Sequence, residues 1–192
     1  MLKLEEGNLR FCFSPRYTNA ERFDDKEKNA DGMKAADFVA ETIENLYFIE
    51  VKDFQNPCAT DENRRSDCEK LGVATKMKEK NEKKGDRKSI FVLEMGETIK
   101  DSLLRKYALG EKISKAVIYL LFVNFDALGA EERGRLKAKI SGHVPTGLKD
   151  ERFTEFTNIT FDLVNATQLK ERHDISCTVI NVPKQPHTPK NS

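Results

Sequence analysis

The sequence predicts an α/β domain built on a central mixed β-sheet flanked by helices. Residues 115–125 (KAVIYLLFVNF) are β-branched, aromatic and apolar on both faces, the pattern of a central covered strand. Phe91, Met95, Ile99 and Leu103 recur at every fourth position, joined by Leu104 and Tyr107, as on an amphipathic helix. Two apolar runs, 35–40 and 46–54, are separated by a short polar segment, as in a β-hairpin. Strands, helix, strand, helix and strands in that order call for a mixed sheet with helices packed against it.

Each element has a local reason. In residues 8–13, Leu9, Phe11 and Phe13 alternate at strand period. Residues 15–33 are polar and irregular, with a helical turn expected at 19–23. Asn45 suits a left-handed turn position between the two hairpin strands, and Asn56-Pro57 ends the second. Residues 61–84 are charged and expected to be helical in part, until Gly85-Asp86 breaks the run. The amphipathic helix then starts near Ser89 and stops at Gly110, a suitable residue just past a helix end. Residues 131–140 read as a helix ending near Gly142, and 153–164 contain a strand carrying Phe156, Ile159, Phe161 and Leu163. A short helix at 166–172 and a last strand at 175–182 follow. The expected organisation is one domain over 1–182 with a charged insertion at 56–88, then a disordered tail at 183–192 with three prolines.

The charge balance limits the partners. Lys and Arg number 33 against 32 Asp and Glu, so bulk positive charge cannot hold this chain to nucleic acid or anionic lipid. A local patch would be needed. The candidate is the basic run Lys76, Lys78, Lys80, Lys83, Lys84, Arg87 and Lys88, which could track a phosphate backbone. Its other reading is a solvated helix face on which Glu79, Glu82 and Asp86 supply ion pairs. No apolar run approaches the roughly 20 residues that span a bilayer, and the opening MLKLEEGNLR lacks the apolar stretch of a signal peptide. No membrane and a reducing cytoplasm are therefore expected. Cys12 and Cys177 read as small buried apolar residues, Cys58 and Cys68 as free thiols, and none has zinc-site spacing. His143, in a Gly- and Pro-containing loop, reads as exposed. There is no GxxxxGK[ST], GxGxxG or GxSxG motif, which removes the phosphate-loop, dinucleotide and serine-hydrolase readings.

The chemistry lies in ADFVAETIENLYFIEVKDF, residues 36–54. Asp37, Glu50 and Lys52 sit in otherwise apolar strands, where unpaired charges would cost several kcal/mol each. With the turn centred between Ile43 and Glu44, opposed residues have numbers summing to 87. Val39 then faces Phe48, Phe38 faces Ile49 and Asp37 faces Glu50, with Lys52 on the same side of the pleat. Two facing carboxylates repel unless a proton or a divalent cation lies between them. Mg²⁺ or Mn²⁺ fits, with Asp37, Glu50 and the Val51 carbonyl as ligands and Lys52 placed to act on the attacking water or the transition state.

This arrangement resembles the core of the PD-(D/E)xK superfamily, the restriction-endonuclease-like nucleases, over roughly residues 8–125. Asp37 matches the motif aspartate, Glu50 the second acid and Lys52 the lysine; the helix from Ser89 and the strand from Lys115 match the next core elements. Ala36 stands where the family name has proline, and the charged insertion is a second departure. For the family's additional N-terminal acid the candidates are Glu21, Glu5 and Glu6. The resemblance implies a restriction-endonuclease-like fold and divalent-metal-dependent hydrolysis of nucleic acid, DNA ahead of RNA. Near-neutral charge makes a homodimer or a DNA-binding protein partner the natural supplement. The alternative is a non-catalytic nuclease-like module that acts through a protein or nucleic-acid partner, with the three charges as a structural ion-pair cluster.

Overall fold

The computed structural model describes residues 1–24, 33–55, 90–145 and 159–180. The basic run from Lys76 to Lys88, Cys58, Cys68, Phe156 and the tail at 183–192 lie outside these residues. The architecture is mixed α/β, with two sheets and three helices among the described residues.

The larger sheet has five strands in chain order: β3 (Asn19–Arg22), β4 (Phe38–Glu41), β5 (Asn45–Asp53), β6 (Ala116–Asn124) and β7 (Ile159–Val164). The first two pairings are antiparallel and the last two parallel. Helix α1 (Ile90–Ala108) lies between β5 and β6 in the chain, and α2 (Ala130–Ser141) between β6 and β7. These are the crossovers that parallel neighbours require. The β4–β5 register pairs Val39 with Phe48 and Phe38 with Ile49, as the sum of 87 predicts. The turn closes through Thr42, whose backbone N–H donates to Asn45 O at 2.9 Å while its Oγ1 accepts from Asn45 N–H at 3.0 Å. Asn45 begins β5 and is not left-handed: Asp174 is the one non-glycine residue with positive φ among those described.

Pleat parity gives the sheet two apolar faces. On one, Val39, Phe48, Tyr119 and Leu121 pack against Met95 and Ile99 of α1 and Leu136 and Ile140 of α2. On the other, Phe38, Ile49, Leu120 and Phe122 meet Phe11 and Phe13, with Leu169 and Ile175. The Phe11 ring lies edge-on to both Phe38 and Phe122, with centroids 5.3 Å apart. The second face is covered by a separate antiparallel sheet of β1 (Leu2–Glu6), β2 (Leu9–Phe13) and β8 (Ile175–Val179), together with α3 (Ala166–His173).

Several expectations are corrected. Residues 19–22 form a strand rather than a helical turn, because Ala20 and Arg22 pair with Ala40 and Phe38. Strand β1 was not expected; it pairs with β2 from Leu2 opposite Phe13 to Glu6 opposite Leu9, turning at Gly7 with φ +58°. On α1 the apolar stripe is narrower than predicted, since Leu104 and Tyr107 are 56% and 47% exposed. The α1 end behaves as expected: Gly110 takes φ +75°, its N–H reaches Tyr107 O and the Glu111 N–H reaches Lys106 O. Cys12 and Cys177 are half-buried. Only Cys177 packs on the core, where burial, Asp53 and Cys12 push its thiol up to about 12. His143 is half-buried and packs against α1, where a Cβ on Gly96 would lie 2.9 Å from the His143 Cβ.

One polar node ties α2 and α3 to β7. Asp162 meets Lys137 Nζ at 2.7 Å, Arg172 Nη1 at 3.2 Å and His173 Nε2 at 3.2 Å. Burial opposes ionisation there, but the hydrogen bonds from His173, Lys137 and Arg172 outweigh it and hold the Asp162 carboxyl well below the usual range. Among the described residues no helix is long and apolar enough to cross a membrane.

Candidate metal centre

Asp37 stands one residue before β4, where the ladders on both sides continue past the regular strand. Its carbonyl accepts the Phe23 N–H at 2.8 Å, and its carboxylate Oδ2 accepts the Val51 N–H at 2.6 Å. Helix α1 fixes the approach from outside. The Ser102 Oγ accepts the Ala36 N–H at 2.9 Å and donates to Thr98 O at 2.7 Å. Arg105 donates to the Phe23 carbonyl and lies over the Phe23 ring at 4.3 Å. Alanine at position 36 now has a reason: a proline there would lack the N–H that Ser102 takes.

Glu50 and Lys52 follow on β5, on the face that α1 covers. Glu50 is 5% exposed, and its Oε1 lies 2.6 Å from Lys52 Nζ. Its second oxygen, Oε2, is buried and receives no hydrogen bond. A buried carboxylate oxygen without a donor is costly, so something at this point is expected to balance it. Burial raises the Glu50 proton affinity, Lys52 opposes that, and Asp24 and Glu6 add to it. Burial and the neighbouring Glu50 charge push the Asp37 carboxyl up to about 8. For Lys52, burial would lower proton affinity, but Glu50 outweighs it and raises the value. Tyr119, fully buried on β6, has its hydroxyl raised by burial and by the charges of Glu50 and Asp37.

The three residues singled out in the sequence are thus brought together, and Val51 joins them through its backbone. Two further acids stand beside Asp37: Glu6, one of the three sequence candidates for an additional acid, and Asp24, which sequence reasoning did not name. One carboxylate oxygen each from Glu6, Asp24 and Asp37 can be chosen so that all lie within 4.8 Å of one another. Of the three candidates for an additional acid, Glu6 is the one at the centre. Glu5 pairs with Arg10 at 2.7 Å, and Glu21 is exposed on the edge strand β3. A signal for Glu6 existed: Gly7-Asn8 between alternating segments is a two-residue hairpin turn, which puts Glu6 at the tip of β1. Asp24 had none, because its place follows from the β3–β4 pairing. Beside this cluster is a cavity of about 360 Å³ lined by Asp24, Lys34, Glu50, Lys52, Glu94 and Met95, among others.

The donor set is all oxygen: carboxylates and the nearby Val51 backbone. Such a set fits a hard divalent cation such as Mg²⁺ or Mn²⁺ and does not suit a thiophilic one. Of the three clustered carboxylates and the neighbouring Glu50, Glu6 and Asp24 pair directly with Arg22 and Glu50 with Lys52, leaving a net charge of −2 when all are ionised. No protein-family model, curated protein or solved structure matches this chain.

Proposed function

We propose that the chain is a divalent-metal-dependent phosphodiesterase acting on nucleic acid, DNA ahead of RNA, on a restriction-endonuclease-like core. The supporting observation is the buried, donor-less Glu50 Oε2 beside the Asp37 carboxylate and the Lys52 ammonium. The antiparallel β4–β5 pair, the α1 crossover and the parallel β6 are the elements such a core requires.

Asp37 and Glu50, with the Val51 backbone carbonyl, would hold Mg²⁺ or Mn²⁺. When bound, the cation supplies charge neutralisation at the phosphate and acidifies a water. The chain's own groups do the rest. Lys52, kept protonated by Glu50, presents a positive charge where negative charge develops on the phosphoryl oxygens and orients the attacking water. The Val51 N–H fixes one Asp37 oxygen and leaves the other for the cation. Tyr119 and Met95 form an apolar floor that strengthens these interactions by excluding water.

The test is cleavage of single- and double-stranded DNA and RNA with Mn²⁺, comparing the natural chain with Lys52→Ala and with a chelator. Cleavage lost in both controls supports the reading; cleavage that survives Lys52→Ala overturns the assigned centre. The closed Glu50–Lys52 pair at 2.6 Å also suits a second reading, a structural ion pair in a non-catalytic binding module. That reading predicts neither cleavage nor Mn²⁺ binding.

A further inference from the structure

We propose that Lys34 is the residue by which the cavity takes hold of a nucleic-acid strand: its ammonium, paired with Glu97 in the free protein, passes to a backbone phosphate of the substrate. This rests on the reading of the centre as a phosphodiesterase and names a substrate contact that Lys52 does not supply.

The charges of the cavity leave the role open. Its wall carries the carboxylates of Asp24, Glu50 and Glu94 and the ammonium groups of Lys34 and Lys52. That balance repels a polyanion unless a cation of the wall can turn to it. Lys52 is taken up by Glu50 at 2.6 Å. Lys34 has its partner outside the wall: its Nζ lies 3.0 Å from Glu97 Oε2, with the two side chains 48% and 57% exposed. An ion pair that open contributes little and exchanges readily. A phosphate oxygen offers the same ammonium a charge-assisted hydrogen bond.

The backbone here is held while the side chain is free to turn. The Lys34 N–H donates to Asp101 Oδ2 at 2.9 Å, and the Ala36 N–H donates to Ser102 Oγ at 2.9 Å. Glu97 and Asp101, one turn apart on α1, therefore take the ammonium and the N–H of a single residue. Rotation of the flexible lysine stem alone carries the charge from Glu97 to a ligand in the cavity. In a chain of net charge +1, this is the local positive contact that the overall balance does not provide.

The experiment measures the affinity of the full chain for fluorescein-labelled single- and double-stranded DNA and RNA oligonucleotides. Anisotropy is read with CaCl₂ over a range of salt, and cleavage kinetics with MnCl₂ in parallel. Lys34→Gln should weaken binding of the tightest of these roughly tenfold, flatten the slope of log Kd against log salt by about one, and raise KM with kcat unchanged. Glu97→Gln should tighten binding about two- to fivefold, because the ammonium no longer has a partner to leave. The Lys34→Gln/Glu97→Gln double variant should bind as Lys34→Gln does. A misfolded variant cannot mimic tightening, and a general effect of net charge would act with and without Lys34. Affinity unchanged in Lys34→Gln, or equal tightening by Glu97→Gln in both backgrounds, overturns the proposal. Cleavage with a KM indifferent to Lys34→Gln overturns this inference alone. Lys34-dependent binding without cleavage overturns the phosphodiesterase reading and keeps the contact. Neither binding nor cleavage overturns both.

Discussion

The Asp37 carboxylate takes the Val51 backbone N–H at 2.6 Å, so a side chain of one strand closes the ladder of its neighbour one residue past Glu50. The same group is therefore both a ladder acceptor and an acid at the candidate centre. Substitutions at this position must be chosen to separate the two roles.

Asp37→Asn keeps an acceptor for Val51 and removes the charge facing Glu50. It is expected to abolish Mn²⁺ binding and cleavage while leaving the thermal midpoint of the metal-free protein unchanged or higher. Asp37→Ala leaves the Val51 N–H without its partner and should cost about 1–3 kcal/mol as well. Calorimetry with Mn²⁺ and thermal unfolding of both variants check this; an Asn variant as unstable as the Ala variant would sink it.

Proton and metal should compete. The Asp37 carboxyl is raised to about 8 in the fold, above its ordinary 3.8, so the folded state holds the extra proton between those values. The associated stability is complete below the unfolded value and is lost as pH rises through the folded one. With chelator present, the unfolding midpoint should fall between pH 5 and about 9, and Mn²⁺ should restore it most at the alkaline end. A pH-independent midpoint with chelator, or equal rescue by Mn²⁺ at pH 5, contradicts the assignment.

Ala36→Pro tests how α1 holds the site. The residue is fully buried and its N–H is bound by Ser102 at 2.9 Å. Proline removes that donor and adds a ring to a closed space, an expected cost of about 2–3 kcal/mol in urea unfolding. A proline variant as stable as the natural chain would show that the Ser102 contact contributes little.

At the opposite face, Asp162→Asn should destabilise by about 2 kcal/mol, since Lys137, Arg172 and His173 lose their common anion. Because the Asp162 carboxyl is held low, its contribution is present above its ordinary value and is lost as pH falls through the folded one. Acid unfolding of the natural chain should be steeper than that of the Asn variant. Superimposable acid transitions would count against the node.

The hairpin register could be read from the sequence because the polar break centres the turn between Ile43 and Glu44; both runs are apolar on both faces, so their pattern alone would not have set it. Strand β6 declared itself through residues apolar on both faces. Strand β3, NAER, has no apolar alternation, and its strand character comes from pairing with β4. Strand β1 is mostly exposed and three of its five residues are charged, so its pattern was weak, although Gly7-Asn8 marked the turn. Asp37, Glu50 and Lys52 were recognisable because they are charges in apolar surroundings. Glu6 could be named only as one of three alternatives and Asp24 not at all, because both lie in polar stretches and their meeting with Asp37 follows from strand pairing.

The small sheet joins residues far apart in the chain beside the candidate centre. Strand β2 is held on one side by β1, which carries Glu6, and on the other by β8, with Leu9 opposite Val179. Loss of β8 would strip one flank from the first hairpin, whereas the Arg22–Glu6 pair would still tie that hairpin to β3. The position of Glu6 therefore has two anchors, one in each sheet, and fraying at the β8 edge alone leaves one of them in place.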